Sequence, residues 1–307
     1  MELCNPAVVK ELLNKYSLAP QKAFGQNFLI NPAIPQRIAE ASSSLSKNTP
    51  RGVLEIGPGM GALTQYLCEE FDKVVAVEID RGFIPLLNDV LSEYSNFYVV
   101  EADFLKLDLE AFIREHFSDI LAEGGSVSVC ANLPYYITTP VIMKLLESFP
   151  ESSSVPFDSI VVMVQLEVAR RLAADEKSAD YGAISASISL RAKTERLFDV
   201  SPNNFIPAPK VASAVVSIVP HGGIAEVYPL LPTCEKERAE FTLSVGETIS
   251  LAFGQRRKTL VNALSGRYPK DKTIAALAQC GIREDIRGEK LSAYDFCRVT
   301  DILHKLD

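Results

Sequence analysis

Four short segments rich in β-branched residues recur along the first half of the chain, and they constrain its fold more than any other feature. They are GVLEIG at 52–57, KVVAVEI at 73–79, NFYVVEAD at 96–103 and SVSVCAN at 126–132. Segments with a helical period separate the first three. Because strands that alternate with helices pair in parallel, the sequence predicts an α/β fold with a doubly wound, mostly parallel sheet.

The pattern changes further along the chain. A fifth strand, a helix and two strand-like segments follow at 158–165, 166–175, 185–200 and 213–220. Residues 221–235 contain two glycines and two prolines, which is typical of a linker. Only helical periods come after it. We therefore expect a ligand-binding domain over 1–220, a linker over 221–235 and a small all-α domain over 236–307.

The composition and the first residues narrow the class of protein. No apolar run reaches the roughly 18 residues that span a membrane. The start, MELCNPAVVKELLNKYSL, predicts a short amphipathic helix capped by Asn5 with Pro6 at its first position, and it does not resemble a signal peptide. The six cysteines include no CxxC pair, so the sequence predicts neither a zinc site nor a disulfide framework. We expect a cytoplasmic monomer with buried, reduced cysteines, no metal and no membrane partner.

A glycine-rich turn, Gly57-Pro58-Gly59-Met60-Gly61, follows the first predicted strand. Glycines here let the backbone approach a ligand closely at the start of a helix. The dinucleotide-binding fingerprint is GxGxxG, whereas the third glycine here comes one position early and Ala62 takes its place. The turn therefore favours a ligand other than NAD, and a tight turn without any ligand is the alternative.

Two carboxylates follow the next two predicted strands. Glu78 ends the second strand and Asp103 ends the third, so both should lie at the carboxyl edge of the sheet, where open α/β sheets bind ligands. A carboxylate at the first position can accept both hydroxyls of a ribose, and one at the second can accept an amine of an adenine. Either residue alone is equally well explained as a solvated or capping acid. Together with the glycine turn they predict a ligand that contains a nucleoside.

The fourth predicted strand stops abruptly at Asn132-Leu133-Pro134-Tyr135. Pro134 cannot donate a hydrogen bond and biases Leu133 toward an extended conformation, which leaves carbonyl groups without helical partners. The Asn132 amide oxygen and the Leu133 carbonyl could accept both hydrogens of an aromatic amine and so direct its lone pair at an electrophile. Tyr135 would then stack on the base. A simple turn with a packed tyrosine is the alternative.

Seven segments, taken together and in this order, resemble the ribosomal RNA adenine N6-dimethyltransferase family of the bacterial KsgA type. They are QKAFGQNFLIN (21–31), EIGPGMGALT (55–64), VEID (77–80), EADFL (101–105), NLPYYITTP (132–140), NNFIPAPKVASAVV (203–216) and FGQRRKTLVNAL (253–264). The resemblance implies an S-adenosylmethionine-dependent methyltransferase with a Rossmann-like fold. The implied substrate is a pair of adjacent adenines in the 3′-terminal hairpin of small-subunit (16S) rRNA, so the expected partner is the small ribosomal subunit.

The resemblance also implies the site residues. The residues at the family's positions for S-adenosylmethionine are Asn27, Leu29, Gly57, Gly59, Glu78, Asp103 and Asn132. Catalysis is assigned to Asn132, Leu133, Pro134 and Tyr135, with Phe205 closing the opposite face of the target adenine from Tyr135. From the residues alone, an aromatic residue among prolines in a loop, such as Phe205, is more often a packing anchor.

RNA docking is harder to predict because the net charge is −8. The acid is concentrated in residues 41–150, which contain 7 basic and 16 acidic residues, whereas residues 240–307 contain 11 basic and 9 acidic residues. The cationic run of Arg256, Arg257 and Lys258 is therefore a candidate for phosphate contacts. A solvated charged surface is the alternative.

Two further features bear on RNA docking. Lys22, in the N-terminal segment, is a second candidate for a phosphate contact. Residues 206–213 are IPAPKVAS, with Ala208 and Ala212, where the family usually has RPPPKVDS. The difference removes an arginine and an aspartate, so we expect the RNA contacts of this loop to differ from those of its relatives.

Three other functions remain open at this stage. One is the related large-subunit rRNA adenine methyltransferase of the macrolide-resistance type. Another is a non-catalytic factor for ribosome assembly or transcription on the same fold, against which the complete set of Glu78, Asp103 and the NLPY residues argues. An NAD oxidoreductase is disfavoured by the glycine spacing.

Overall fold

The structure is a computed structural model that describes residues 1–19, 26–148, 157–221, 223–231 and 234–306. Its strands are β1 (Phe28–Leu29), β2 (Arg51–Ile56), β3 (Lys73–Glu78), β4 (Phe97–Glu101), β5 (Ser126–Asn132), β6 (Phe157–Gln165), β7 (Ala192–Val200), β8 (Phe205–Ile206) and β9 (Ser213–Pro220). Its α-helices are α1 (Pro6–Lys15), α2 (Ala33–Leu45), α3 (Thr64–Glu70), α4 (Phe83–Val90), α5 (Leu109–Ala122), α6 (Thr138–Glu147), α7 (Leu166–Leu172), α8 (Ala183–Ser189), α9 (Ile224–Val227), α10 (Glu235–Gly254), α11 (Leu260–Leu264), α12 (Lys270–Gln279) and α13 (Ala293–Leu306). None of these described helices has the length and apolar character to cross a membrane.

The central sheet has seven strands in the order β4-β3-β2-β5-β6-β9-β7. The first five pair in parallel, and β9 pairs with β6 in the antiparallel direction. Strands β3 and β5 are buried at nearly every position, which is why small and apolar residues fill most of both strands. The predicted doubly wound, mostly parallel sheet is confirmed.

The register of this sheet brings the ends of three strands together. Ile56 at the end of β2 pairs with Val77 of β3 and with Ala131 of β5. Residues one position further along, Gly57, Glu78 and Asn132, therefore lie at the same carboxyl edge. This is the edge at which open α/β sheets bind ligands.

A second, two-stranded sheet joins two distant segments. Strand β1 pairs with β8 in the antiparallel direction, with Leu29 opposite Phe205. The Ile30 N–H donates to the Asn204 carbonyl at 2.8 Å, and Asn31 Nδ2 donates to Asn204 Oδ1 at 2.8 Å. The small sheet therefore holds the segment around Leu29 against the loop that carries Phe205.

The N-terminal helix agrees with its sequence prediction. Helix α1 begins at Pro6, and the Asn5 side chain caps it by accepting a hydrogen bond from the Ala7 N–H at 2.9 Å. Val9 and Leu12 are buried on its apolar face. Of the six cysteines, five are buried and Cys234 is exposed.

One prediction of secondary structure is wrong. The sequence predicted a strand over 185–200, but residues up to Ser189 form helix α8, and β7 starts only at Ala192. The small residues of this segment suit either conformation. Ser185 selects the helix because its Oγ accepts a hydrogen bond from the Gly182 N–H at 3.1 Å, which satisfies a backbone group at the helix start.

The described residues pack as two compact units. The first contains those within Met1–Ser148, Val155–Ala169 and Glu195–Val219. The second contains those within Arg170–Thr194 and Pro220–Asp307.

The second unit has its own hydrophobic core. Ala186 of α8 and Ile224 of α9 are fully buried there, in one cluster with Phe296 of α13. The sequence placed residues 170–194 in the first domain and 221–235 in a linker. Both stretches contribute to the core of the helical unit instead, because a small alanine and an isolated isoleucine give little sign in a sequence of what they pack against.

Candidate functional site

A cavity opens at the carboxyl edge of the central sheet, within the first unit. The glycine turn, Glu78, Phe205 and the segments 27–29 and 132–135 line it. Its open space is about 840 Å³, part of which is continuous with solvent. The structure therefore brings ten of the residues named from the sequence to one place.

The glycines of the turn serve two purposes. Gly57 has a φ of +70°, and a Cβ atom added to it would meet nothing within 4 Å, so the backbone is open to a ligand at this point of the cavity lining. Gly61 has a φ of +85°, and a Cβ there would lie 3.3 Å from Leu91 Cδ1. The third glycine therefore serves packing. Helix α3 begins only at Thr64, and not immediately after the turn.

Glu78 is 4% exposed at the end of β3 and faces the cavity. Its Oε2 accepts a hydrogen bond from the Gly59 N–H at 3.2 Å, and its Oε1 accepts one from the Asp80 N–H at 2.9 Å. Burial raises the pKa of this carboxyl, and the two backbone hydrogen bonds oppose the rise. Since a carboxylate has about four acceptor positions, the two oxygens can each accept one more hydrogen bond, which suits a pair of hydroxyls.

The chain leaves β5 at Asn132 in the way the NLPY sequence predicted. The Leu133 N–H still donates to the Met163 carbonyl at 3.2 Å, but Pro134 has no N–H to continue the ladder. Asn132 Nδ2 donates to the Asn27 carbonyl at 3.4 Å, which leaves Oδ1 as the acceptor end of the amide. Among the described residues, no group donates a hydrogen bond to the Leu133 carbonyl. The cavity is thus lined by two residues with acceptor oxygens, Asn132 and Leu133.

Two aromatic residues line the cavity near these oxygens. Tyr135 is half-buried, and its hydroxyl forms a 3.1 Å hydrogen bond with Ser213 Oγ. Phe205 is 4% exposed and is held by the pairing of β8 with β1. The structure places both rings in the lining of one cavity, as the prediction that they enclose a base requires, while their stacking role stays a prediction.

Asp103 does not line the cavity. Its Oδ1 caps a short 3₁₀ turn by accepting from the Leu105 N–H at 3.1 Å, and its Oδ2 lies 3.3 Å from Lys106 Nζ. Burial and, to a smaller extent, the Asp103 charge raise the pKa of Tyr136, the exposed residue that follows Tyr135. A contact between Asp103 and an adenine therefore stays a prediction.

The predicted RNA-docking residues belong to other parts of the chain. Lys22 lies outside the described residues. Arg256, Arg257 and Lys258 are exposed in the turn between α10 and α11 of the second unit, and not at a helix start. Arg256 has a structural contact as well, because its Nη2 donates to the Tyr181 carbonyl at 3.1 Å.

Glu55, which no sequence pattern singled out, also lines the cavity from within β2. It is 1% exposed, and its Oε2 has no hydrogen-bond partner among the described residues. Burial raises its pKa to about 8, and the nearby Glu78 carboxylate adds to the rise. The available signal was a glutamate in an otherwise apolar strand. In the described part of the chain, no group of three or more histidine, cysteine, aspartate or glutamate side chains could hold a metal ion.

The amino-acid sequence matches one protein family over nearly its whole length. The model of the ribosomal RNA adenine dimethylase family matches residues 18–305. A ribosomal RNA small subunit methyltransferase A from Alkaliphilus metalliredigens is 39% identical over 302 residues, covering 97% of this chain and 97% of that protein. The protein of the same name from Lachnoclostridium phytofermentans is 41% identical over 307 residues, covering 98% of this chain and 97% of that protein.

Solved structures show the same fold. A dimethyladenosine transferase from Plasmodium falciparum superposes with a TM-score of 0.65 at 25% identity, covering 88% of this chain and 95% of that one. The 23S rRNA methyltransferase ErmE superposes with a TM-score of 0.63 at 24% identity, covering 91% of this chain and 100% of that one. The likeness to ErmE concerns the fold alone.

Proposed function

The chain belongs to the ribosomal RNA adenine dimethylase family, and from this premise we propose that it methylates the N6 amines of two adjacent adenines in the 3′-terminal hairpin of small-subunit rRNA. The full-length relatives at 39% and 41% identity carry a small-subunit name, which supports this choice of substrate. The observation that carries the proposal is the end of β5. There the Asn132 amide is held by the Asn27 carbonyl, and the Leu133 carbonyl has no donor among the described residues.

The cavity residues fit S-adenosylmethionine as the methyl donor. Glu78 has acceptor positions for two ribose hydroxyls, and the open position at Gly57 lets the backbone approach the ligand. The buried, unpartnered Oε2 of Glu55 adds a hydrogen-bonding group that the protein itself leaves unsatisfied. When bound, S-adenosylmethionine supplies an electrophilic methyl group on a sulfonium.

The NLPY turn prepares the amine of the target. The lone pair of an adenine amine is delocalised into the ring, so the amine is a poor nucleophile. We infer that Asn132 Oδ1 and the Leu133 carbonyl each accept one of its hydrogens, which favours a pyramidal nitrogen with a localised lone pair. Because the Asn27 carbonyl and the β5–β6 contact hold both acceptors before the substrate arrives, little reorganisation is needed during the reaction.

The target base must leave its RNA structure to reach these oxygens. We infer that the Tyr135 ring stacks on one face of the adenine and the Phe205 ring closes the other. Dimethylation also requires that a monomethylated adenine, with only one N–H left, return to the same position. The exposed side chains of Arg257 and Lys258 then contribute to phosphate attraction on the second unit, in a chain whose net charge is −8.

Transfer of labelled methyl groups to purified ribosomal particles tests the proposal. We expect undermethylated small subunits to accept four methyl groups each, as two N6,N6-dimethyladenosines in the 3′-terminal hairpin. Large-subunit RNA is the matched control, because it is the substrate named for ErmE. Methylation of large-subunit RNA instead would identify the macrolide-resistance type, and no methylation of either would favour a non-catalytic factor.

A further inference from the structure

The Tyr135 hydroxyl forms a side-chain hydrogen bond with Ser213 in the described structure. Tyr135 lies in the irregular turn after β5, where strand pairing has ended. The turn is closed by the Ile137 N–H, which donates to the Pro134 carbonyl at 3.1 Å, and this backbone contact does not involve the Tyr135 side chain. The far end of the ring is held by the 3.1 Å bond between its hydroxyl and Ser213 Oγ.

Ser213 is itself fixed. It is the first residue of β9, is 1% exposed and pairs with Gln165 of β6. The preceding carbonyl, that of Ala212, accepts a hydrogen bond from the Leu166 N–H at 2.9 Å. The hydroxyl of Ser213 therefore belongs to the rigid central sheet, and its bond to Tyr135 links a loop residue to that sheet.

We propose that Ser213 is a positioning residue that sets the plane of the Tyr135 ring for stacking on the target adenine. The proposal rests on the proposed function, because it concerns the same base. A stacked base takes the orientation of the ring beneath it, and its amine must reach two fixed oxygens at once. A ring that rotates about its side-chain torsions would still contact the base but would present the amine at the wrong angle.

This role predicts a particular kinetic pattern. Ser213→Ala removes the hydroxyl partner, and Tyr135→Phe removes the other end of the same bond while keeping the ring. Each should lower kcat on saturating small subunits by about 3- to 10-fold, the range expected for one neutral hydrogen bond that matters in the transition state. The double variant should be no slower than the slower single variant, because both changes break one interaction. Ser213→Thr, which keeps the hydroxyl, should recover most of the activity.

Ser217 provides a matched control. It lies four residues further along β9, on the same face of the strand, and is 4% exposed. Ser217→Ala therefore makes the same change of side chain in an equally buried position away from Tyr135. It should leave kcat unchanged. The dissociation constant for S-adenosylmethionine and the melting temperature, measured for all variants, show whether each one is folded.

The outcomes are distinct. If wild-type protein does not methylate small subunits, the proposed function fails. If wild type is active, a double variant whose loss equals the product of the two single losses would overturn the positioning role. So would a Ser217→Ala variant as slow as Ser213→Ala, because the effect would then come from losing any buried serine of β9. A loss of cofactor affinity equal to the loss of kcat would also overturn it.

Discussion

Replacing Glu78 with glutamine should weaken the binding of S-adenosylmethionine by about 10- to 150-fold. The carboxylate is 4% exposed, and each of its oxygens accepts one backbone N–H, from Gly59 at 3.2 Å and from Asp80 at 2.9 Å. Glutamine offers one oxygen and one NH₂ group, so it keeps one of these bonds and turns the NH₂ toward the other N–H. A hydrogen bond to a charged group contributes about 1.5–3 kcal/mol, which corresponds to this range of affinities.

Isothermal titration calorimetry with the purified protein measures this loss directly. Glu101→Gln is a matched control, because Glu101 ends the neighbouring strand β4, pairs with Glu78 in the register of the sheet and is exposed to solvent. It should bind S-adenosylmethionine as wild type does. Far-UV circular dichroism and the melting temperature check that both variants fold.

The reasoning would be refuted by a folded Glu78→Gln protein that binds S-adenosylmethionine within twofold of wild type. Glu78 would then only hold the glycine turn, through its bond to the Gly59 N–H. An equal loss in Glu101→Gln would also refute it, since the effect would then reflect the charge of the whole sheet edge.

Two other predictions concern charge. Burial raises the pKa of Glu55 from 4.5 to about 8, so between these values the folded state keeps a proton that the unfolded state has lost, and the free energy of unfolding should fall by about 2 kcal/mol between pH 6 and pH 7.5 because of this group. Urea unfolding of Glu55→Gln should no longer show this fall. A pH dependence equal to that of wild type would contradict the prediction. Replacing Arg257 and Lys258 with alanine should lower the slope of log affinity for small subunits against log salt by roughly 0.7–0.9 for each phosphate interaction that the substitutions remove, with no change in melting temperature. Arg256→Ala should also lower the melting temperature, because it breaks the hydrogen bond to the Tyr181 carbonyl. Salt slopes equal to that of wild type would place the RNA contacts elsewhere.

The first unit could largely be predicted from the sequence. Strands β2, β3 and β5 are buried on both faces and form short runs rich in small and β-branched residues, so the pattern identifies them and the order of their ends along the chain. Parallel pairing then requires the residues after those strands to meet at one edge. For this reason the amino-acid sequence alone is sufficient to assign Glu78 and Asn132 to one site.

The rest depended on contacts that a sequence does not display. Asp103 was placed in the site by its position at a strand end, yet its side chain caps a local turn and pairs with Lys106. The partnership between Tyr135 and Ser213 joins residues 78 positions apart. Glu55 was overlooked because a glutamate in a strand reads as a solvent-facing residue unless the burial of both sheet faces is known.

The central claim is that Asn132 Oδ1 and the Leu133 carbonyl hold the reacting amine, and single-turnover methyl transfer by Asn132→Ala tests it most directly. Enzyme loaded with labelled S-adenosylmethionine is mixed with excess undermethylated small subunits, and the dissociation constants for both are measured separately. We predict that methyl transfer falls by more than about 100-fold, a rise in barrier of roughly 2.7 kcal/mol or more, while small-subunit affinity stays within about threefold of wild type. A transfer rate within about tenfold of wild type would contradict the account.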